Sequence, residues 1–172
     1  MKKRYGILLG VVVLLLAADQ WLKYWTLQNL AGAPAIDLIP GIFRLTYVEN
    51  RGAAFGILQG GTVLLALVSV LAVALLLYFY KNIPAEKGVW TMRLSYILVI
   101  AGAIGNMIDR ICRGYVVDMF DLQLFSYPVF NLADCCVVVG AILGGIYYLF
   151  LYEKYDKKKK ESDHAHDPSD PS

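Results

Sequence analysis

The stretch GNMIDRICRGYVVDMFDLQLFSYPVFNLAD occupies residues 105–134 and lies between two long apolar runs. It carries four aspartates, which are Asp109, Asp118, Asp121 and Asp134. Carboxylates at the ends of membrane-length apolar segments are costly to place there, and such groups usually serve a function. This stretch is therefore the candidate functional site, and the rest of the chain is organised around it.

The composition indicates a membrane protein with a single domain. The chain has 172 residues, of which 58% are hydrophobic and 17% are charged. Such values are typical neither of a disordered chain nor of an ordinary soluble domain, and the length allows one domain. The net charge is only +2. Because lysine and arginine cluster near the two ends of the chain, with no basic face on a folded domain, we expect no nucleic-acid partner.

Four apolar segments predict four transmembrane helices, at residues 5–27, 61–80, 92–107 and 131–152. The first follows the basic start MKKR and resembles the hydrophobic region of a signal peptide. Its apolar character resumes at Trp21 and Trp25, and three further spans follow. We therefore interpret it as a membrane span and not as a cleaved leader. The predicted fold class is membrane all-α with four transmembrane helices.

One charged pair lies within the first predicted span. Asp19 and Lys23 are one helical turn apart, so their side chains can pair on one face of the helix. Two interpretations stay open at this point. The pair lies at the membrane interface near the helix end, or it faces the helix bundle and supports a site.

Residues 31–59 are not a span, since Gly32, Pro34, Pro40 and Gly41 break helices. Residues 42–49, IFRLTYVE, are rich in β-branched and aromatic side chains and predict a strand. We expect a small extracytoplasmic β-containing subdomain between spans one and two, at about residues 31–59. Residues 1–153 then form the membrane domain, and residues 154–172 form a charged, disordered cytoplasmic tail.

The distribution of basic residues predicts the orientation of the chain. With four spans, both termini and the turn between spans two and three share one side, which carries most of the lysines. The positive-inside rule places that side in the cytoplasm. The β-containing subdomain and the aspartate-rich stretch then share the extracytoplasmic face.

The inventory of catalytic groups is short. His164 and His166 are the only histidines, and both fall in the predicted tail. A Ser–His or Cys–His nucleophile in the folded domain is therefore excluded, as is a zinc site of the H-E-x-x-H kind, and we expect no metal and no cofactor. Cys112, Cys135 and Cys136 are expected to act as small hydrophobic residues.

Asp118 and Asp134 are the candidate catalytic pair. Asp118 follows the third span through a predicted loop, and Asp134 lies in the first turn of the fourth, where the helix dipole favours an anion. Neighbouring carboxylates share a proton, so one can act as a base on water while the other polarises a carbonyl. Asp109, followed directly by Arg110, is expected to be a structural ion-pair partner. Asp121 competes with Asp118, and spacing alone does not decide between them.

From the residues alone, three functions are open. The first is an aspartic protease. The second is a proton- or solute-coupled transporter, because aspartate relays also mark such proteins. The third is a binding or scaffold protein in which the polar residues cap helices, as Asn131 is placed to do for the fourth span.

Five motifs together resemble the bacterial lipoprotein signal peptidases, the type II signal peptidases. In chain order they are DQWLK at 19–23, NRGAAFG at 50–56, GNMIDR at 105–110, VVDMF at 116–120 and FNLAD at 130–134. They are similar to the patterns D-x-x-x-K, N-x-G-x-A-F-G, G-N-x-x-D-R and F-N-x-A-D and to the segment around the first catalytic aspartate. Met119 departs from the aromatic residue expected after that aspartate. The motifs run in order from the first span to the fourth.

The resemblance implies a membrane aspartic endopeptidase of the bacterial inner membrane, with its active site near the extracytoplasmic face. Its substrate would be a prolipoprotein whose cysteine carries diacylglyceryl, and the cut would fall just before that cysteine. Membrane lipids would surround it, globomycin-type cyclic peptides would inhibit it, and we expect a monomer. Transferred by position, the catalytic residues would be Asp118 and Asp134. Residues that bind substrate or support the pair would be Asn50, Asn106, Arg110 and Asn131. Structural support would come from Asp19, Lys23, Gly52 and Asp109.

Overall fold

The computed structural model describes residues 2–52, 60–81, 83 and 89–152, without the side chains of residues 2–5, 7 and 8. Three parts of the chain lie outside these residues, namely residues 53–59 of the predicted subdomain, most of the turn between the second and third spans, and the predicted tail at 154–172.

The protein is mostly helical. Helix α1 is Lys2–Asn29, α2 is Thr62–Tyr80, α3 is Trp90–Cys112 and α4 is Leu132–Ile146, which continues as a π-helix at Tyr147–Leu151. Three segments of the described chain are long and apolar enough to cross a membrane, namely Thr62–Tyr80, Trp90–Cys112 and Leu132–Leu151. They coincide with the predicted second, third and fourth spans, and α1 covers the segment predicted as the first.

Helix α3 extends beyond its predicted end at residue 107 and stops at Cys112. Asp109 and Arg110 therefore lie in the last turns of a helix, although the sequence predicted them just past its end. The apolar run ends at Met107, but a helix continues as long as its polar residues find partners in the fold. The extra turns carry both side chains into the protein, where Asp109 is fully buried.

A three-stranded antiparallel sheet lies beside the helices, in the order β1-β2-β3. Strand β1 is Ile36–Ile39, β2 is Phe43–Asn50 and β3 is Val116–Leu122. The strand predicted at 42–49 is confirmed. The restriction of the sheet to residues 31–59 is wrong, because β3 comes from the segment after α3. Its pairing puts Val116 opposite Asn50 and Asp118 opposite Val48.

Helices α3 and α4 pack closely through glycines. A Cβ atom on Gly102 would lie 2.3 Å from the Ala133 carbonyl oxygen, and one on Gly140 would lie 2.9 Å from the Ser95 carbonyl oxygen. The Ser95 hydroxyl donates a hydrogen bond to the Gly140 carbonyl oxygen at 2.7 Å. Small residues allow backbones to approach in this way. Gly145, also on α4, has no atom within 4 Å of such a Cβ.

Candidate active site

Asp118 and Asp134 come together where β3 meets the start of α4. Asp118 is the third residue of β3 and is 1% exposed, while Asp134 is in the first turn of α4. The chain between them folds back, because Phe130 pairs with Phe120 as an isolated antiparallel bridge. The predicted pair is therefore brought together, but on a strand and a helix, where the sequence predicted a loop and a helix.

Asn131 connects the two aspartates. Its amide group donates to Asp118 Oδ1 at 2.6 Å, and its side-chain oxygen accepts from the Asp134 backbone N–H at 2.9 Å. The Asp134 carboxylate in turn accepts from the Asn131 backbone N–H at 3.2 Å. This reciprocal arrangement is a capping box, which satisfies the free N–H groups at a helix start. The prediction that Asn131 caps the fourth span is confirmed.

Two further asparagines orient the carboxylates. Asn106 on α3 donates to Asp134 Oδ1 at 2.7 Å and accepts from Asn131 at 3.1 Å. Asn50, the last residue of β2, donates to Asp118 Oδ2 at 3.0 Å. Asn131 supplies the second donor to each aspartate, through its side chain for Asp118 and through its backbone N–H for Asp134. Each aspartate therefore has donors on both of its oxygens. Such fixed donors hold carboxylates in a single orientation.

The loop after β2 is held against the same site. The Gly52 backbone N–H donates to Asn50 Oδ1 at 3.0 Å, and the Gly52 carbonyl oxygen accepts from the Arg110 guanidinium at 3.2 Å. Arg110 also interacts electrostatically with Asp134 and Asp118. Arg110 therefore connects the loop to the carboxylate pair.

A buried charge cluster lies behind the asparagines. Lys23 has no exposed surface and contacts Asp19 at 2.9 Å, Asp109 at 3.1 Å and Asn106 Oδ1 at 3.0 Å. Of the two interpretations left open for Asp19 and Lys23, the structure supports the one in which the pair faces the helix bundle. Asp19 Oδ1 also accepts from the Ala133 backbone N–H at 3.0 Å and so contacts the first turn of α4.

Asp109 is an ion-pair partner, as predicted. It pairs with Lys23 and with Arg113, and its Oδ2 atom also accepts from the Val117 backbone N–H at 3.0 Å. Val117 immediately precedes Asp118, so this carboxylate holds the strand that carries the first aspartate of the pair.

Asp121 lies away from the pair. Its carboxylate contacts the Arg44 guanidinium at 2.6 Å across the sheet. This pair is partly exposed, and Asp121 has a partner of its own. The structure therefore brings Asp118, and not Asp121, together with Asp134.

Burial changes the protonation of Asp118. Desolvation, and secondly the charge of Asp134, raise the pKa of Asp118 from its ordinary value of 3.8 to about 7. The hydrogen bonds from Asn50 and Asn131 and the charge of Lys23 act in the opposite direction. Asp118 therefore holds a proton close to neutral pH, as expected for one member of a carboxylate pair that shares a proton.

A cavity of about 360 Å³ opens beside Asp134. Its polar wall contains Asn50, Asn106, Arg110 and Asp134, and its apolar wall comes from α3, α4 and the segment 127–130. Ser69 brings α2 to the same space. A mostly apolar pocket with a few convergent polar groups is typical of a binding site.

Sequence reasoning missed two residues in this region, Gln20 and Arg113. The Gln20 amide group donates to Asp109 Oδ1 at 3.1 Å and to the Gly105 carbonyl oxygen at 3.3 Å. Arg113 donates to Asp109 and to Gln20 Oε1, the latter at 3.2 Å. The spacing of four between Asp109 and Arg113 was the available signal, since such residues face each other on a helix. In the part of the chain that the structure describes, no cluster of three or more His, Cys, Asp or Glu residues could hold a metal ion.

Comparisons with known proteins agree on one family. The family model described as Signal peptidase (SPase) II matches residues 11–150. The lipoprotein signal peptidase of Clostridioides difficile (strain 630) is 44% identical over 144 residues, which cover 84% of this chain and 95% of that protein. The lipoprotein signal peptidase of Halothermothrix orenii is 45% identical over 145 residues, with the same coverage.

Two solved structures resemble the fold. Both are described as bacterial membrane enzymes. One superposes with a TM-score of 0.74 at 30% identity and covers 85% of this chain and 94% of its own. The other has a TM-score of 0.73 at 29% identity and covers 88% and 92%. Together with the three apolar helices, these likenesses identify a multi-pass membrane protein.

Proposed function

The chain belongs to the signal peptidase II family, and from this premise we propose that it is an aspartic endopeptidase that removes the signal peptide from prolipoproteins. One observation carries the proposal. Asp118 and Asp134 lie on either side of Asn131, which hydrogen-bonds to both, and Asp134 borders the cavity.

The chemistry follows from the environments of the two carboxylates. Asp134 lies in the first turn of α4, where the helix dipole favours its charged form, and we assign it as the base that takes a proton from water. Asp118, whose pKa is raised to about 7, carries the shared proton and donates it to the oxygen of the scissile carbonyl. The hydroxide that remains from the water adds to the carbonyl carbon. The carbon–nitrogen bond then breaks as the leaving nitrogen accepts a proton from Asp134, and one hydroxyl of the tetrahedral intermediate returns its proton to Asp118. The products are a carboxylic acid and an amine, and the pair again shares one proton.

Asn50, Asn106, Arg110 and Asn131 have supporting roles. Three of them hold the carboxylates through direct hydrogen bonds. Asn50, Asn106 and Arg110 also line the cavity, where they can contact the peptide. Asp19, Lys23, Gly52 and Asp109 support these residues from behind, because each has a hydrogen bond or ion pair to the helices or strands that carry the site.

The substrate that fits this site is a prolipoprotein with diacylglyceryl on its cysteine, cut just before that cysteine. A lipid-modified chain arrives from within the bilayer, and the cavity has apolar walls on α3 and α4, two helices that belong to membrane-length apolar segments. We propose that globomycin-type cyclic peptides bind at the same site. We also propose that the protein acts as a monomer.

We further propose that α1 is a fourth membrane span. It is 28 residues long, enough at about 1.5 Å per residue to cross the hydrocarbon core. Both termini then lie in the cytoplasm, and the sheet and carboxylate pair lie near the extracytoplasmic face of the bacterial inner membrane. The membrane domain extends over residues 1–153, followed by a tail at 154–172. The transporter alternative has no support among the relatives.

The experiment is a cleavage assay with the purified full-length protein in detergent. The substrate is a synthetic lipobox precursor with diacylglyceryl on its cysteine, and mass spectrometry identifies the products. We expect one cut, on the amino side of the lipidated cysteine. A matched precursor with an unmodified cysteine tests the lipid requirement. An intact lipidated precursor after prolonged incubation with folded protein would contradict the proposal.

A further inference from the structure

The carboxylate of Asp109 contacts the strand that carries Asp118. Asp109 Oδ2 accepts from the Val117 backbone N–H at 3.0 Å, and both groups are fully buried. A shift of this carboxylate would displace Val117 and, with it, the next residue, Asp118. The groups that fix the other oxygen of Asp109 therefore affect the geometry of the pair.

Gln20 and Arg113 fix that other oxygen. Both donate to Asp109 Oδ1, Gln20 at 3.1 Å. Arg113 also donates to the side-chain oxygen of Gln20 at 3.2 Å, so the three side chains form a closed triangle. A hydrogen-bonded triangle restricts each member more than a single contact does.

The triangle reaches from one helix to another. Gln20 lies on α1, Asp109 lies in the last turn of α3, and Arg113 follows directly after the end of α3. The Gln20 amide group also donates to the Gly105 carbonyl oxygen at 3.3 Å and to Asp19 at 3.2 Å. The contacts therefore fix the position of α1 against α3 at the depth of the site.

Arg113 also balances charge. Lys23 is one buried cation between two buried carboxylates, Asp19 and Asp109. Arg113, whose side chain is 24% exposed, supplies the second cation. Arg110 is a third cation, and it faces the Asp118–Asp134 pair, which carries a single negative charge when it shares one proton. The three positive charges therefore equal the three negative charges of Asp19, Asp109 and the pair. A buried charge without compensation is costly, so this balance stabilises the arrangement.

We propose that Gln20 and Arg113 are positioning residues for the peptidase reaction, which act through Asp109 and the Val117 backbone N–H to hold Asp118 in place. The proposal rests on the proposed function. Neither residue is among the described residues that line the cavity, so each acts on the chemical step and not on substrate binding.

Two variants separate geometry from charge. Arg113→Gln removes the cation, and Gln20→Ala removes a neutral member of the triangle. We expect kcat to fall by about 10- to 100-fold in each, because a small displacement of a catalytic group strongly lowers the rate of the chemical step. KM should stay within about twofold of the wild-type value, since binding contacts are unchanged. Arg113→Lys restores a cation and should recover kcat to within about threefold, although lysine lacks the planar fork.

The pH profile gives a second readout. Removal of a cation favours protonation of nearby carboxylates, so Arg113→Gln should move the activity profile to higher pH. Gln20→Ala changes no charge and should leave the profile in place. The ionisable groups that face this region are Asp19, Lys23, Asp109, Arg110, Asp118, Asp134 and the thiols of Cys135 and Cys136.

Arg44→Gln is the matched control. Arg44 also pairs with an aspartate of β3, Asp121, and is partly exposed, but it has no contact with Asp109. Its kcat and pH profile should match those of the wild-type protein.

A folded Arg113→Gln variant with wild-type kcat, or an Arg113→Lys variant no better than Arg113→Gln, would overturn the proposal. If the wild-type protein cleaves the precursor, such results overturn the positioning role alone. A wild-type protein without cleavage would instead count against the proposed function.

Discussion

Asn131 and Asp134 cap each other at the start of α4. The Asp134 backbone N–H donates to the Asn131 side chain at 2.9 Å, and the Asn131 backbone N–H donates to the Asp134 carboxylate at 3.2 Å. Asn131 also uses its amide hydrogens on Asp118 and Asn106. One side chain therefore begins a helix, orients one aspartate and holds the other.

Two substitutions at Asn131 separate these roles. Asn131→Ser keeps an oxygen for the Asp134 backbone N–H but loses the amide donor to Asp118, whereas Asn131→Ala loses both. We expect Asn131→Ala to lower the free energy of unfolding by about 1–2 kcal/mol and Asn131→Ser by less than about 0.5 kcal/mol. Both should lower kcat by about 100-fold, because the donor to Asp118 is gone. Thermal unfolding and cleavage rates measure the two effects. A Ser variant with wild-type kcat would remove Asn131 from the catalytic geometry.

Asp118→Asn and Asp134→Asn should each abolish cleavage. Neither amide can carry the shared proton, and general acid–base catalysis contributes about 100- to 10,000-fold. Asp121→Asn is the control, because Asp121 pairs with Arg44 away from the pair, and it should cleave at the wild-type rate. The measurement is the initial rate with lipidated precursor, with folding checked by circular dichroism. Turnover at the wild-type rate by either folded variant would show that its aspartate is dispensable.

The sequence predicted the helices and β2, but it missed strand β3. The three apolar spans are long, continuous runs, which are strong signals. Strand β3 was missed because aspartate is unfavourable in strands and because Val116 to Met119 are all buried, without alternation. Its recognition would have decided between Asp118 and Asp121. Residues three apart on a strand point to opposite faces, so only one of them can face the helices.

The sequence predicted the pair of aspartates because it offers few other catalytic side chains. It did not predict the buried residues that hold the pair in place. No spacing in the sequence connects Gln20 with Asp109, which lie 89 residues apart. Their contact arises only when α1 packs against α3. Buried networks of this kind depend on tertiary structure, and a single sequence carries no local sign of them.

The close approach of α1 to the site depends on Gly105. A Cβ atom there would lie 2.7 Å from Asp19 Oδ2 and 3.2 Å from the Ala133 Cβ atom. Gly105→Ala should therefore destabilise the protein by about 1–3 kcal/mol through overpacking and lower kcat as Asp19 moves. Gly145→Ala is the control, since nothing lies within 4 Å of its Cβ. Thermal unfolding compares the two variants. Equal stability would contradict the packing described for Gly105.

The cysteines should be dispensable for cleavage. Cys112 is exposed, Cys135 is partly buried and Cys136 is buried, and the chain has no histidine outside residues 164–166 to activate a thiol. A triple Ala variant should keep kcat within about threefold, with some loss of yield from the cavity at Cys136. Treatment of the wild-type protein with a thiol alkylator should leave its rate unchanged. An inert but folded triple variant would favour a cysteine mechanism.

Asp118 should set the alkaline limit of activity. Burial and the neighbouring Asp134 raise the pKa of Asp118 to about 7, so Asp118 carries a proton below that pH and loses it above. Loss of the proton leaves two charged carboxylates, and kcat/KM should then fall by about tenfold per pH unit. On the acid side, protonation of the second carboxylate should lower kcat/KM as well, and both limbs belong to the pair. The measurement is kcat/KM from about pH 4 to pH 9 in one detergent. Constant activity from about pH 6 to pH 9 would contradict a proton shared through Asp118.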